Sequence, residues 1–224
     1  MNKEQEIIES WQANAGNWIK IIETGGIQSR KIATNKAIVD MISAYQPISV
    51  LDIGCGEGWL AKELADRGIN VSGADIIPAL IEKAKEKVKG NFVVASYEEI
   101  AEHTTSLQGK FDAIVINFAL IGKESTEILL KALPAYLSPF GRLFIQTLHP
   151  HSRKPMEDYE TGWKTGSWDG LGDQFTQPYQ WYFRTLEDWL QLLNISGFEK
   201  IHFTETLHPQ TRQPLSVIFA CKTK

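Results

Sequence analysis

The chain has 224 residues, 43% of them hydrophobic and 22% charged, with 23 Lys and Arg against 27 Asp and Glu for a formal net charge of −4. That length supports one large α/β domain whose core needs no disulfide or metal, and that composition excludes wholesale disorder. The mild acidity argues against a nonspecific nucleic-acid binder, which relies on a basic surface to release counterions.

From Ile7 to Ile22 the apolar residues fall at 7, 8, 11, 15, 18, 19 and 22, a helical period with one greasy face, and Gly25-Gly26 ends it. A second helix carries Ile32, Ala37, Ile38, Met41 and Ile42 and stops before Pro47. Strand and helix then alternate. Ile48–Ile53 is a short apolar strand entering a glycine cluster, and Trp59–Arg67 is a helix closed by a left-handed Gly68. Asn70–Ala74 is a strand ending at Asp75, and Pro78–Lys89 a helix with proline near its start and Gly90 after its end. Phe92–Ala95 and Phe111–Asn117 are strands, and a helix between Glu124 and Leu137 is split by Pro134. The turn Ser138-Pro139-Phe140-Gly141 leads into a strand, Arg142–Leu148.

Such alternation means a mostly parallel sheet with helices on both faces. The last third differs. Residues 149–184 are turn-rich and aromatic, too long for a plain connection, and are expected to wall a site. Leu186–Ile195 is helical, and Phe198–Thr206 and Gln213–Lys222 form an antiparallel hairpin. The fold class read from this order is α/β: a Rossmann-like, seven-stranded, mostly parallel sheet closed by an antiparallel C-terminal hairpin.

Asp52-Ile53-Gly54-Cys55-Gly56-Glu57-Gly58 follows the first strand and opens the next helix, where open α/β sheets bind ligands. Glycines there let the chain turn sharply and let a ligand lie on bare backbone, beside a helix N-terminus. Asp75, 23 residues after Asp52 at the tip of the second strand, is placed to accept both ribose hydroxyls of an adenosine. A dinucleotide fingerprint would need its third glycine at position 59, where Trp59 stands. The acid two residues before Gly54 would be idle beside a pyrophosphate but suits the ammonium of an amino-acid cofactor. The plainer reading is a tight turn and a capping acid.

Val50–Gly58 with Gly73-Ala74-Asp75 resembles motif I and the acidic second-strand tip of class I S-adenosylmethionine-dependent methyltransferases, in element order over about residues 30–148 plus the terminal hairpin. Ser29-Arg30-Lys31, Cys55–Leu60, Gln146–Pro150 and Trp181–Thr185 resemble a bacterial small-molecule subgroup of undefined substrate. The resemblance implies S-adenosylmethionine as cofactor, a single domain with an N-terminal helical lid (1–45), a cofactor-binding core (46–148), the aromatic insertion (149–184) and a C-terminal helix and hairpin (185–224). Implied cofactor contacts are Asp52, Gly54, Cys55, Gly56, Gly58 and Asp75, with Ile76 on the adenine face. Adenine contacts after strand three fall to Ser96 and the Tyr97 backbone, since Ala95-Ser96-Tyr97-Glu98 lacks the usual Asp. Arg30 either pairs with the methionine carboxylate or is a solvated surface arginine.

Methyl transfer is an in-line displacement from an activated donor, so alignment and water exclusion dominate, and a base is needed only for a protonated nucleophile. Asn117 and Phe118 end the fourth strand beside the expected methyl position, with Phe118 in the expected substrate pocket. The prolines of nucleobase amino-methylases are missing there, and no carboxylate trio for Mg²⁺ is evident. Asn117 is either a strand-end cap or a ligand contact. His149 is the first choice for a general base, against a loop histidine placed by chance; with His151 it lacks the second ligand pair of a zinc site, so no metal is expected. Trp163, Trp168, Trp181 and Tyr182 either line an acceptor pocket or glue the insertion to the sheet. Arg184 either selects an acidic substrate or pairs near Glu187 and Asp188. Trp11 and Trp18 read as core packing. The partner is then a small-molecule methyl acceptor, with a noncatalytic S-adenosylmethionine-binding module and an NAD-dependent oxidoreductase as rival readings. Cys55 and Cys221 have no metal-ligand spacing, Met1 to Glu6 lack a signal peptide's apolar core, and no apolar run could span a bilayer, so the expected location is the cytoplasm.

Overall fold

The computed structural model describes residues 2–152 and 159–224; residues 153–158 of the expected insertion lie outside the described residues. In chain order the elements are α1 (Lys3–Glu23), a π-helical turn (Arg30–Thr34), α2 (Asn35–Tyr45), β1 (Ser49–Ile53), α3 (Trp59–Ala65), β2 (Asn70–Asp75), α4 (Pro78–Lys87), β3 (Phe92–Val94) and α5 (Tyr97–Ala101). They continue as β4 (Phe111–Asn117), α6 (Glu124–Ala132), a 3₁₀ turn (Leu133–Tyr136), β5 (Leu137–Leu148), a 3₁₀ turn (Pro150–Ser152), β6 (Gly162–Lys164), β7 (Trp181–Phe183), α7 (Leu186–Ile195), β8 (Phe198–Leu207) and β9 (Pro214–Thr223).

Seven strands form one sheet in the order β3-β2-β1-β4-β5-β9-β8. β1 to β5 run parallel, whereas β9 lies antiparallel to both β5 and β8. The Rossmann-like sheet with its terminal hairpin is therefore the observed fold. Both faces are covered, and the two-residue period of a strand divides the core. In β4, Ile114 and Ile116 join the side that holds α6 and α7, while Ala113 and Val115 join the side that holds α2 and α3.

Several boundaries depart from the sequence reading. β5 begins at Leu137, and its pairing with β4 jumps from Phe111↔Leu137 to Ala113↔Arg142, so the expected turn Ser138–Gly141 is a bulge inside the strand. α4 stops at Lys87 with an extended Val88 at its cap, not at Lys89. The π-turn, α5 and the β6–β7 ribbon were not foreseen. α5 had a legible signal: Ser96 accepts from the Glu99 N–H while the Glu99 carboxylate accepts from the Ser96 N–H, a capping box written as Ser-x-x-Glu.

α1 lies outside the sheet and is stitched to the insertion. The fully buried Asn14 amide donates to the Thr176 carbonyl at 2.7 Å and accepts the Thr176 N–H at 2.9 Å. The Trp168 indole N–H donates to Ser10 Oγ at 2.9 Å and that of Trp11 to the Tyr179 hydroxyl at 3.1 Å. Ile7, Trp168, Phe175 and Tyr179 form a small core of their own between the two. At the other end, Glu4 accepts the Lys123 and Glu124 N–H groups at 2.7 and 2.9 Å, filling orphan donors at the start of α6. Among the described residues no helix is long and apolar enough to cross a membrane.

Candidate functional site

A cleft of about 550 Å³ opens at the carboxyl ends of β1, β2, β4 and β5, roofed by α1, the π-turn and the insertion. Its size suits a small-molecule site, and its place is the crevice where open α/β sheets bind ligands.

The βα turn after β1 forms the floor. The Gly54 and Cys55 N–H groups both donate to the Ala74 carbonyl, at 2.7 and 3.0 Å, which bends the chain across the top of β2. Gly54 sits at φ +70, and a Cβ there would stand 2.3 Å from that of Ala119. Gly58 sits at φ +83, where a Cβ would meet the Ala84 backbone at 2.9 Å. Glycine is required at both points, for left-handed backbone and for close approach. Asp75 closes the turn from the side: Oδ2 accepts the Gly56 N–H and Oδ1 the Ile77 N–H, both at 2.9 Å. The loop and the acid at the second strand's tip are joined, as the sequence reading required.

Three acids crowd this floor. Asp52 is 1% exposed with neither carboxylate oxygen hydrogen-bonded. Its burial, with Asp75 and Glu57 nearby, pushes its pKa up to about 8. Burial also raises Asp75, to about 6, although the N–H bonds from Ile77 and Gly56 pull the other way. Glu57 is fully buried without a hydrogen bond, its nearest cation being Lys87 Nζ at 3.6 Å. The sequence reading passed over it. Opposite lies Arg30, 9% exposed, its guanidinium 4.7 Å from the Trp59 ring centroid and 5.6 Å from that of Trp18. Burial lowers its pKa to about 10, against the field of Glu57, and the surface-arginine reading is thereby excluded.

An acid whose folded pKa exceeds its unfolded value contributes stability fully present below the unfolded pKa and lost as pH rises through the folded one. For Asp52 that window runs from 3.8 to about 8. Asp52→Asn is therefore expected to raise the melting temperature of the ligand-free protein at pH 8.5 by a few degrees, about 2–4 °C per kcal/mol at this size, and to change it little at pH 5. Thermal melts at the two pH values check this; equal effects at both would contradict it.

The cleft wall includes Cys55, Gly56, Asp75, Ile76, Tyr97 and Asn117, as expected. Asp52 and Gly58 stand behind it, one acting through its field and the other through packing on α4. Ser96 is placed differently. It is the N-cap of α5 and does not line the cleft, whereas its neighbour Glu98 does. Tyr97 donates to the Ala119 carbonyl at 2.9 Å, and burial raises its pKa far above the usual tyrosine range. Asn117 Oδ1 is buried without a partner, which argues for a ligand contact over a strand cap. Phe118 takes φ +55, a strained value for a bulky residue, and donates its N–H to the Gln146 carbonyl at 2.7 Å. Trp18 was read as packing, yet its indole N lies 3.7 Å from where a Cβ on Gly56 would stand.

Elsewhere on the cleft wall, His149 is 2% exposed with both ring nitrogens engaged: Nδ1 accepts the His151 N–H at 3.1 Å, so Nε2 donates to Glu205 at 2.8 Å. Burial lowers its pKa despite Glu205. Arg184, 4% exposed, donates to the Gly122 and Lys123 carbonyls at 3.2 and 3.1 Å and pairs with Glu127 at 3.6 Å. Its carboxylate partner is thus on α6 and is neither Glu187 nor Asp188. Trp181 and Tyr182 line the cleft; Trp168 lines it while also packing on Trp11 of α1. Trp163 does not line it; its ring meets Tyr182 edge-on at 5.3 Å. Among the described residues no three His, Cys, Asp or Glu side chains gather as a metal site.

Residues 28–203 match the family described as "Methyltransferase domain". A ubiquinone biosynthesis O-methyltransferase from Xanthomonas oryzae pv. oryzae is 30% identical over 156 residues, which span 66% of this chain and 63% of the relative. A solved S-adenosylmethionine-dependent methyltransferase from Clostridium acetobutylicum superposes with a TM-score of 0.66 at 12% identity, over 93% of this chain and 97% of that one. The solved DhpI-SAM-HEP complex superposes with a TM-score of 0.68 at 13% identity, over 99% and 98%. At such identities these structures speak for the fold.

Proposed function

Because the chain belongs to the methyltransferase-domain family and has the class I S-adenosylmethionine-dependent methyltransferase fold, we propose that it transfers a methyl group from S-adenosylmethionine to an oxygen or nitrogen of a small-molecule acceptor. The observation that carries the reading is the bond from the Gly56 N–H to the Asp75 carboxylate at the floor of the cleft. It joins a seat for an amino-acid end to a seat for a sugar. The residues fit a cofactor with a cationic head: Asp52 and Glu57 hold buried carboxylate oxygens with no hydrogen-bond donor, a cost that a nearby positive charge relieves. Arg30 on the other side suits its carboxylate.

When bound, S-adenosylmethionine supplies a methyl carbon on a sulfonium, which the acceptor's lone pair takes while the carbon–sulfur electron pair stays on sulfur. Asp75 would hold the ribose hydroxyls, Ile76 and Tyr97 would flank the adenine, and Asn117 with Phe118 would border the reacting atoms. α1 and the insertion act as a lid that excludes water. A protonated nucleophile loses its proton to His149, which must first release the His151 N–H from Nδ1; Glu205 then faces the imidazolium. Unpaired Cys55 and Cys221, both buried, suit a reducing cytoplasm. The oxidoreductase reading needs a complete second mononucleotide half, and the antiparallel β9 occupies the edge of β5 where the last parallel strand of that half would lie.

Calorimetric titration separates these readings. S-adenosylmethionine and its demethylated product, S-adenosylhomocysteine, are expected to bind one site per chain, and NAD to give no heat. Binding of NAD alone would overturn the proposal.

A further inference from the structure

We infer that the acceptor is a ring-bearing molecule that is uncharged or cationic, and that the cleft rejects anionic acceptors; this rests on the methyltransferase reading and names its substrate class. The charged side chains on the cleft wall, among the described residues, are the acids Glu4, Glu57, Asp75, Glu98 and Asp169 and the cations Arg30 and Arg184. Neither cation is free to greet an anionic acceptor. Arg30 stacks on Trp18 and Trp59 beside Glu57, at the cofactor end. Arg184, the natural reader of a carboxylate or phosphate, is held by the Gly122 and Lys123 carbonyls and already pairs its charge with Glu127. Its guanidinium lies 4.6 Å from the Tyr182 ring centroid and 5.2 Å from that of Trp189, so its faces are covered too.

The remaining surface is predominantly apolar, with Leu120, Ile121, Trp168, Tyr179, Trp181 and Tyr182 beside neutral polar groups such as Asn117, Ser125 and Ser167. Such a wall gains from burying a flat ring, and its π faces attract a cation. A carboxylate or phosphate entering it would be desolvated beside an acidic lining with neither arginine free to pair its charge. Discrimination by an unpaired buried charge reaches roughly a hundredfold or more.

The test uses the full chain saturated with S-adenosylhomocysteine, which fills the cofactor end, and two probes of similar shape, benzyltrimethylammonium and phenylacetate. Binding is read by calorimetry and tryptophan fluorescence. Benzyltrimethylammonium is expected to bind and phenylacetate to bind at least about tenfold more weakly, a discount on the full discrimination because both rings bury alike. Phenylacetate binding as tightly or more tightly, or neither probe binding at millimolar concentration, overturns the inference. Failure of S-adenosylhomocysteine to bind in the first step instead overturns the methyltransferase reading.

Discussion

Asp75→Asn is expected to weaken S-adenosylmethionine binding at least tenfold while the protein stays folded. Charge-assisted hydrogen bonds contribute about 1.5–3 kcal/mol each, and about 1.4 kcal/mol is a factor of ten in affinity. The carboxylate already accepts the Gly56 and Ile77 N–H groups, one on each oxygen, and a carboxylate oxygen has room for a second donor. An amide has one accepting oxygen, so the variant loses the charge and must turn its NH₂ toward one of those two N–H groups. Part of the effect is then disorder of the Gly54–Gly58 turn. Because the wild-type acid has its pKa raised to about 6, the ligand-free variant is spared a repelled charge at neutral pH, which offsets some of the lost bonding. Calorimetry at pH 7.5 with a parallel thermal melt separates these effects. An unchanged Kd in a folded variant would remove the ribose role.

Gly54→Ala is expected to cost both stability and turnover. Left-handed backbone penalises an L side chain by about 1–2 kcal/mol, and the new methyl would stand 2.3 Å from Ala119 Cβ. The segment Asn117–Ala119 must shift, and it borders the proposed methyl position. Misplacement by an ångström can cost about a hundredfold in rate, so a drop of that order in kcat/KM is expected, with a melting temperature lower by roughly 5–10 °C. Gly68→Ala is the control. Gly68 has φ +82 but nothing within 4 Å of an added Cβ, so that variant should show the backbone strain without the clash and keep wild-type kcat/KM. Equal kinetics in the two variants would show that close approach at Gly54 does not matter.

What could be read in the sequence follows from the range of the forces involved. The glycine turn and Asp75 were legible because local backbone geometry dictates them: a sharp turn at a strand end admits few residues, and the strand that carries Asp75 fixes its position. The parallel core was legible because strands buried on both faces carry continuous apolar runs. Contacts set by distant chain segments were not. Arg184 closely precedes the acids Glu187 and Asp188 in the chain, yet its partner Glu127 comes from α6. His149 looked like a free base because Glu205, on the terminal hairpin, is 56 residues away. Asn14 and Ser10 on α1 take their partners Thr176 and Trp168 from the insertion, 162 and 158 residues away, and the sequence reading passed over both. Ser96 was read only for a ligand role, and the capping box written as Ser-x-x-Glu was passed over.

A crystal structure of the protein grown with S-adenosylhomocysteine bears most directly on the central claim. The expected density has both ribose hydroxyls on the Asp75 carboxylate and the homocysteine tail over Gly54–Gly56, directed toward Arg30. Adenosine density remote from Asp75, or a tail leading away from the glycine turn, would contradict it.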